Sequence, residues 1–165
     1  SVILICLPFS YWLLTPRAML EFSKSMISSI FFYSNYFFQN LDFYNERRKE
    51  SALRYTKLLK DHHKIITPLR KSNCNSHVFH QYTLRIINSD RDALKNYLND
   101  NKIPCGVYYP VPLHLQKAYT YDGYNEANFK VTNQLVKEVI SLPMHSELTL
   151  DQVEHIALKV KEFLG

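Results

Sequence analysis

The sequence predicts an α+β domain over residues 41–165, a short and mostly antiparallel sheet covered by helices, and three observations carry that expectation. Apolar residues recur at helical spacing in four separate segments, a two-residue alternation occupies one segment between them, and Pro, Asn and Asp punctuate the joins. The composition agrees with a folded domain, since 46% of the 165 residues are hydrophobic and 21% charged.

Leu41, Tyr44, Ala52, Tyr55, Leu58 and Leu59 lie on a charged background between Leu41 and Lys60, which predicts one long amphipathic helix. From Val78 to Ile87, the set Val78, His80, Tyr82, Leu84 and Ile86 alternates with Phe79, Gln81, Thr83, Arg85 and Ile87, the period of a strand of about ten residues. Ser89 or Asp90 can cap the next helix, whose inner stripe is Ala93, Leu94, Tyr97 and Leu98, and Asn99-Asp100-Asn101 ends it.

Ile103 to Tyr109 reads as the returning strand. Pro110 and Pro112 remove two backbone donors and restrict the residues before them, so the chain must leave the sheet there as an extended loop. A further helix is expected over Asn128–Ile140 with Val131, Leu135, Val136 and Val139 inward, then a short extended stretch at Ser141-Leu142-Pro143-Met144. Thr149 with Gln152 three positions on forms a capping box, which opens a last helix with Val153, Ile156, Ala157, Val160 and Leu164 inward.

Residues 1–40 differ: they form an apolar, aromatic leader of uncertain structure, with runs such as Val2-Ile3-Leu4-Ile5-Cys6-Leu7-Pro8-Phe9. The first run contains Pro8 and spans about a dozen residues, short of the ~20 a bilayer span needs. No basic segment precedes it, as a signal peptide requires, and the start at Ser1 reads as a truncation. The expectation is a chain without a membrane partner.

Charge and cysteines exclude further classes. The net charge is +5, but lysines and arginines are dispersed among acidic residues, and the densest group, Arg47-Arg48-Lys49, is flanked by Glu46 and Glu50. That pattern is a solvated helix face, with no basic stripe for nucleic acid. Cys6, Cys74 and Cys105 are too few and too far apart for a disulfide framework or a metal spacing, so a reducing, cytoplasmic setting is expected. Three residues apart on a strand, His77 and His80 would face opposite ways, so a metal pair is not expected.

Five stretches, in one order, carry a resemblance. They are Leu41-Asp42-Phe43-Tyr44-Asn45-Glu46-Arg47-Arg48; His77-Val78-Phe79-His80-Gln81-Tyr82; Arg91-Asp92-Ala93-Leu94 with Ile103; Tyr108-Tyr109-Pro110-Val111-Pro112-Leu113-His114-Leu115-Gln116; and Ser141-Leu142-Pro143-Met144-His145. Together they resemble the small C-terminal domain of the DegT/DnrJ/EryC1/StrS family, fold-type I aminotransferases acting on nucleotide-linked keto sugars. The resemblance implies pyridoxal phosphate in the complete enzyme, an amino-acid donor such as glutamate, a nucleotide-linked sugar acceptor and a homodimer. It also implies a lysine-bearing large domain upstream of this stretch.

Within the chain, the resemblance places His114, Tyr109 and Tyr108 as substrate-binding residues. His114 follows two prolines in a loop and suits hydrogen bonding to a sugar hydroxyl or phosphate, and strand alternation would turn Tyr109 to the cleft and Tyr108 away. No catalytic residue is expected here. Lys24 stands too close to Asn45 for the family's Schiff-base lysine, and only Gly106, Gly123 and Gly165 are present, so no glycine-rich phosphate site can be drawn. The cofactor is therefore not expected to bind this chain covalently. A second expectation, of a different class, is a non-catalytic binding or regulatory fragment that keeps the small-domain fold.

Overall fold

The structure, a computed structural model, describes residues 26–31, 34–35, 38–70, 74, 76–119 and 126–165. Lys24, Cys6, Gly123 and the first apolar run lie outside the described residues. The chain divides into two units, residues 1–42 and 43–165. Of the first, residues 26–31, 34, 35, 38 and 39 are helical and exposed.

The main unit is α+β. Helix α1 (Leu41–Leu59) is followed by strand β1 (Ile65–Ile66), strand β2 (Tyr82–Ile86) and helix α2 (Arg91–Asp100). Short 3-10 turns then lead to helix α3 (Lys130–Glu138), strand β3 (Val139–Leu142) and helix α4 (Leu150–Leu164). The sheet has the order β1-β2-β3 and both pairings are antiparallel, with Ile65 opposite Ile86 and Leu84 opposite Ile140.

Burial explains the order. Tyr82, Leu84 and Ile86 are buried while Thr83 and Arg85 between them are half-buried, so β2 turns one apolar face inward. That face joins one cluster with Ala52, Tyr55 and Leu59 of α1, Leu94 and Leu98 of α2, and Val153, Ile156, Ala157, Val160 and Leu164 of α4. On the alternate face, Thr83 and Ser141 hydroxyls share a hydrogen bond at 2.8 Å, and Arg85 donates from Nε and Nη2 to Glu138 at 2.9 and 2.8 Å.

Helix ends follow their capping chemistry. Asp90 is the α2 cap, its carboxylate accepting from the backbone N–H groups of Asp92 and Ala93, both at 2.9 Å. Arg91, buried at that end, donates to the Val139 carbonyl at 2.7 Å and so ties α2 to β3. The Thr149–Gln152 capping box is formed in both directions. Thr149→Ala should cost about 1 kcal/mol, or roughly 4 °C in melting temperature, measured by thermal denaturation. On α1, Arg47 pairs with Glu50 and Lys49 with Glu46, so these two cations are neutralised along their own helix.

Several elements depart from the expectations. The ten-residue strand shrinks to Tyr82–Ile86, because Phe79 takes a left-handed φ of 49° and its N–H is donated to His77 Nδ1. His80 sits exposed in a bend, so neither histidine is a strand residue. Over Ile103–Tyr109 only Gly106 pairs with the sheet, exchanging two backbone hydrogen bonds with Ser141, since Pro104 supplies no donor. The third helix stops at Glu138, and the branched Val139 and Ile140 begin β3 instead. Val131, expected inward, is exposed. Strand β1 was not anticipated, two residues being too few to show a period.

Candidate functional site

Pro110 and Pro112 deny the loop after Gly106 a place in the sheet, and local hydrogen bonds give it shape instead. Leu115 N–H donates to the Pro112 carbonyl at 3.0 Å, Gln116 N–H to Leu113 at 3.1 Å, and Tyr119 N–H to Gln116 at 2.9 Å. Two successive 3-10 turns result, Leu113–Leu115 and Lys117–Tyr119. Gln116 Nε2 also donates back to the Val111 carbonyl at 3.2 Å, which closes the loop on itself.

This loop and α3 enclose a concavity of about 900 Å³. Tyr109, Leu113, His114 and Tyr119 line it from the loop side, and Phe129, Thr132 and Val136 from the helix side. Phe129, Thr132 and Val136 recur at intervals of three and four, so one helical face supplies that wall. The imidazole of His114 stacks on Phe129 with centroids 4.2 Å apart and planes 14° from parallel. Its Nε2 lies 2.9 Å from Asn133 Oδ1.

The three residues singled out from the sequence do not share one place. Tyr109 and His114 line the same concavity, whereas Tyr108 lines a smaller one of about 310 Å³ with His80, Cys105 and Gly106. No strand alternation separates the two tyrosines, because residues 108 and 109 are not in a strand. The Tyr108 ring instead lies over Gly106 so closely that a Cβ there would meet it at 2.6–2.8 Å. A side chain at 106 would have to displace that exposed ring.

Chemically the larger concavity is an aromatic and aliphatic shelf with few polar groups. Among the described residues no lysine, arginine or carboxylate lines it. Pyridoxal phosphate, which the resemblance implies, needs an amine for its carbonyl and a carboxylate for its ring nitrogen, and the described residues of the concavity offer neither. Its residues suit orientation of a ligand, by stacking and a directed hydrogen bond. Among the described residues no group of three or more His, Cys, Asp or Glu could hold a metal ion, and no helix is long and apolar enough to cross a membrane. Cys105 is half-buried, and burial pushes its thiol up, away from the range of a nucleophile.

Sequence reasoning missed Phe129 and Asn133. Their contacts with His114 span 15 and 19 residues, beyond any local period. The available signal was the face of α3 on which Phe129, Asn133 and Val136 fall at intervals of four and three.

Comparison with known proteins adds four findings. The family model for the DegT/DnrJ/EryC1/StrS aminotransferase family matches residues 36–161. The chain is 38% identical over 128 residues to a pleiotropic regulatory protein of Geobacillus stearothermophilus, covering 76% of this chain and 34% of that protein. It is 30% identical over 123 residues to the dTDP-3-amino-3,6-dideoxy-alpha-D-galactopyranose transaminase of Aneurinibacillus thermoaerophilus, covering 74% of this chain and 32% of that protein. In structure it is similar to a DegT DnrJ EryC1 StrS aminotransferase from Brucella abortus, with a TM-score of 0.69 and 32% identity over 78% of this chain and 33% of that one. The chain thus spans about a third of the length of these relatives.

Proposed function

We propose that this chain, which belongs to the DegT/DnrJ/EryC1/StrS aminotransferase family, forms the small C-terminal domain of a pyridoxal-phosphate-dependent enzyme that transfers an amino group from an amino acid such as glutamate to a nucleotide-linked keto sugar. Residues 41–165 are that domain with its connecting helix. The cofactor supplies the electron-sink chemistry from parts of the complete protein outside the described residues, and the present residues orient the sugar. A cytoplasmic homodimer belongs to the same reading.

The concavity carries this reading, because Tyr109 and the His114–Phe129 stack give a sugar ring an aromatic surface and a hydrogen-bonding group in one place. In the complete enzyme carrying this segment, His114→Ala should lower kcat/KM for the nucleotide sugar roughly threefold to a hundredfold. That range corresponds to losing a hydrogen bond to a neutral or charged group. Steady-state kinetics beside thermal melting is the check. Unchanged kinetics with a lowered melting temperature would make His114 a packing residue and remove it from the site.

A second reading is a non-catalytic binding or regulatory role, favoured by the regulatory name of the Geobacillus stearothermophilus relative. It predicts that the complete protein binds a nucleotide sugar without converting it in the presence of pyridoxal phosphate and glutamate. Formation of an amino sugar would decide against it.

A further inference from the structure

His114 is held on two sides, and the two constraints do different things. Stacking on Phe129 fixes the plane of the imidazole. It does not fix which edge faces which way, because a half-turn about the Cβ–Cγ bond keeps the plane and puts each nitrogen where a ring carbon was. The contact between Nε2 and Asn133 Oδ1 at 2.9 Å removes that freedom. A carboxamide oxygen can only accept, so Nε2 must carry the hydrogen, and in a neutral imidazole Nδ1 is then an acceptor. Among the described residues Nδ1 makes no hydrogen bond.

We propose that Asn133 is a positioning residue that holds His114 in its Nε2–H tautomer, so that Nδ1 is presented as an acceptor to a hydroxyl of the ligand in the Tyr109–Phe129 concavity. This rests on the sugar-binding reading above and narrows it. An acceptor nitrogen does not bind an ionised phosphate oxygen, and among the described residues no cation lines the concavity to do so. The group recognised at His114 is therefore a ring hydroxyl, and the diphosphate must be held elsewhere. A sugar lacking that hydroxyl loses the contact.

The test uses the whole chain, labelled with ¹⁵N, and three variants. Long-range proton–nitrogen spectra of the histidine rings at pH 8 report the tautomer, with the His114 signals identified by their absence in His114→Ala. The wild-type chain should show the Nε2–H form. Asn133→Leu should turn it into a tautomer mixture and weaken binding of dTDP-glucose, the probe ligand, by roughly threefold to tenfold. Asn133→Asp should keep the hydrogen on Nε2, since a carboxylate oxygen also accepts. A helix-packing role for Asn133 would not move the tautomer.

A wild-type Nδ1–H form, or a tautomer unaltered in Asn133→Leu, would overturn the proposal. So would equal dTDP-glucose affinity in wild type and Asn133→Leu, and in that case the sugar-binding reading survives. If the tautomers behave as stated but dTDP-glucose leaves the wild-type His114 signals unmoved, the sugar-binding reading fails and takes the hydroxyl contact with it.

Discussion

Leu84→Ala should destabilise the main unit by about 2–5 kcal/mol, and lower its melting temperature by roughly 8–20 °C. Leu84 is wholly buried in the middle strand, opposite Ile140, and its cluster draws on α1, α2 and α4. Truncation leaves a cavity that three helices and a sheet cannot all collapse into. Leu158, on the outer face of α4 and 61% exposed, is the matched control, and Leu158→Ala should change stability by about 0.5 kcal/mol or less. Denaturant unfolding of both variants tests the layout. Similar losses at the two positions would mean that β2 does not turn Leu84 into the core.

The contrast between these two leucines was only half legible in the sequence. Helical stripes on α2 and α4 were readable because a long element repeats its period several times, and the Thr149 capping box is a local signal. The strand beginning at Val78 failed where a side chain took over the backbone's bonding, His77 Nδ1 accepting from Phe79 N–H. The stretch 103–109 failed because Pro104 and the ring of Tyr108 over Gly106 are close-range facts that alternation does not encode.

The candidate site divides in the same way. His114 stood out from its motif and Tyr109 from its neighbour, and both line one concavity. What holds His114 comes from a helix 15 to 19 residues on, and only folding brings Phe129 and Asn133 to it. A resemblance in sequence can point to the histidine. It does not say which nitrogen faces a ligand, and that is the property on which hydrogen-bond recognition turns.

Alkaline pH should destabilise the main unit through two buried tyrosines. Tyr55 and Tyr82 are fully buried and stacked with centroids 5.0 Å apart. Tyr55 donates to the Pro143 carbonyl at 3.2 Å, and Tyr82 shares a hydrogen bond with Thr56 at 2.8 Å. Burial, partly offset by the Thr56 hydroxyl, pushes Tyr82 up to about 12, and burial followed by the neighbouring Tyr82 pushes Tyr55 up as well. In the unfolded chain both titrate near about 10. Their contribution is therefore fully present below about pH 10 and is lost as pH rises toward about 12, because the unfolded state then releases protons that the native state keeps. Each tyrosine costs up to about 1.4 kcal/mol per pH unit in that window, so the pair removes about 3 kcal/mol between pH 9.5 and 11.5. That is a large part of the 5–15 kcal/mol or so typical of a domain. Urea unfolding across this range should give a falling stability whose slope drops by about half in Tyr82→Phe, which keeps the ring and deletes the ionisable group. Tyrosinate absorbance should show the last two tyrosines titrating only with unfolding. A stability that stays level to pH 11.5, or a slope unaltered in Tyr82→Phe, would mean that the stacked pair ionises freely in the folded protein.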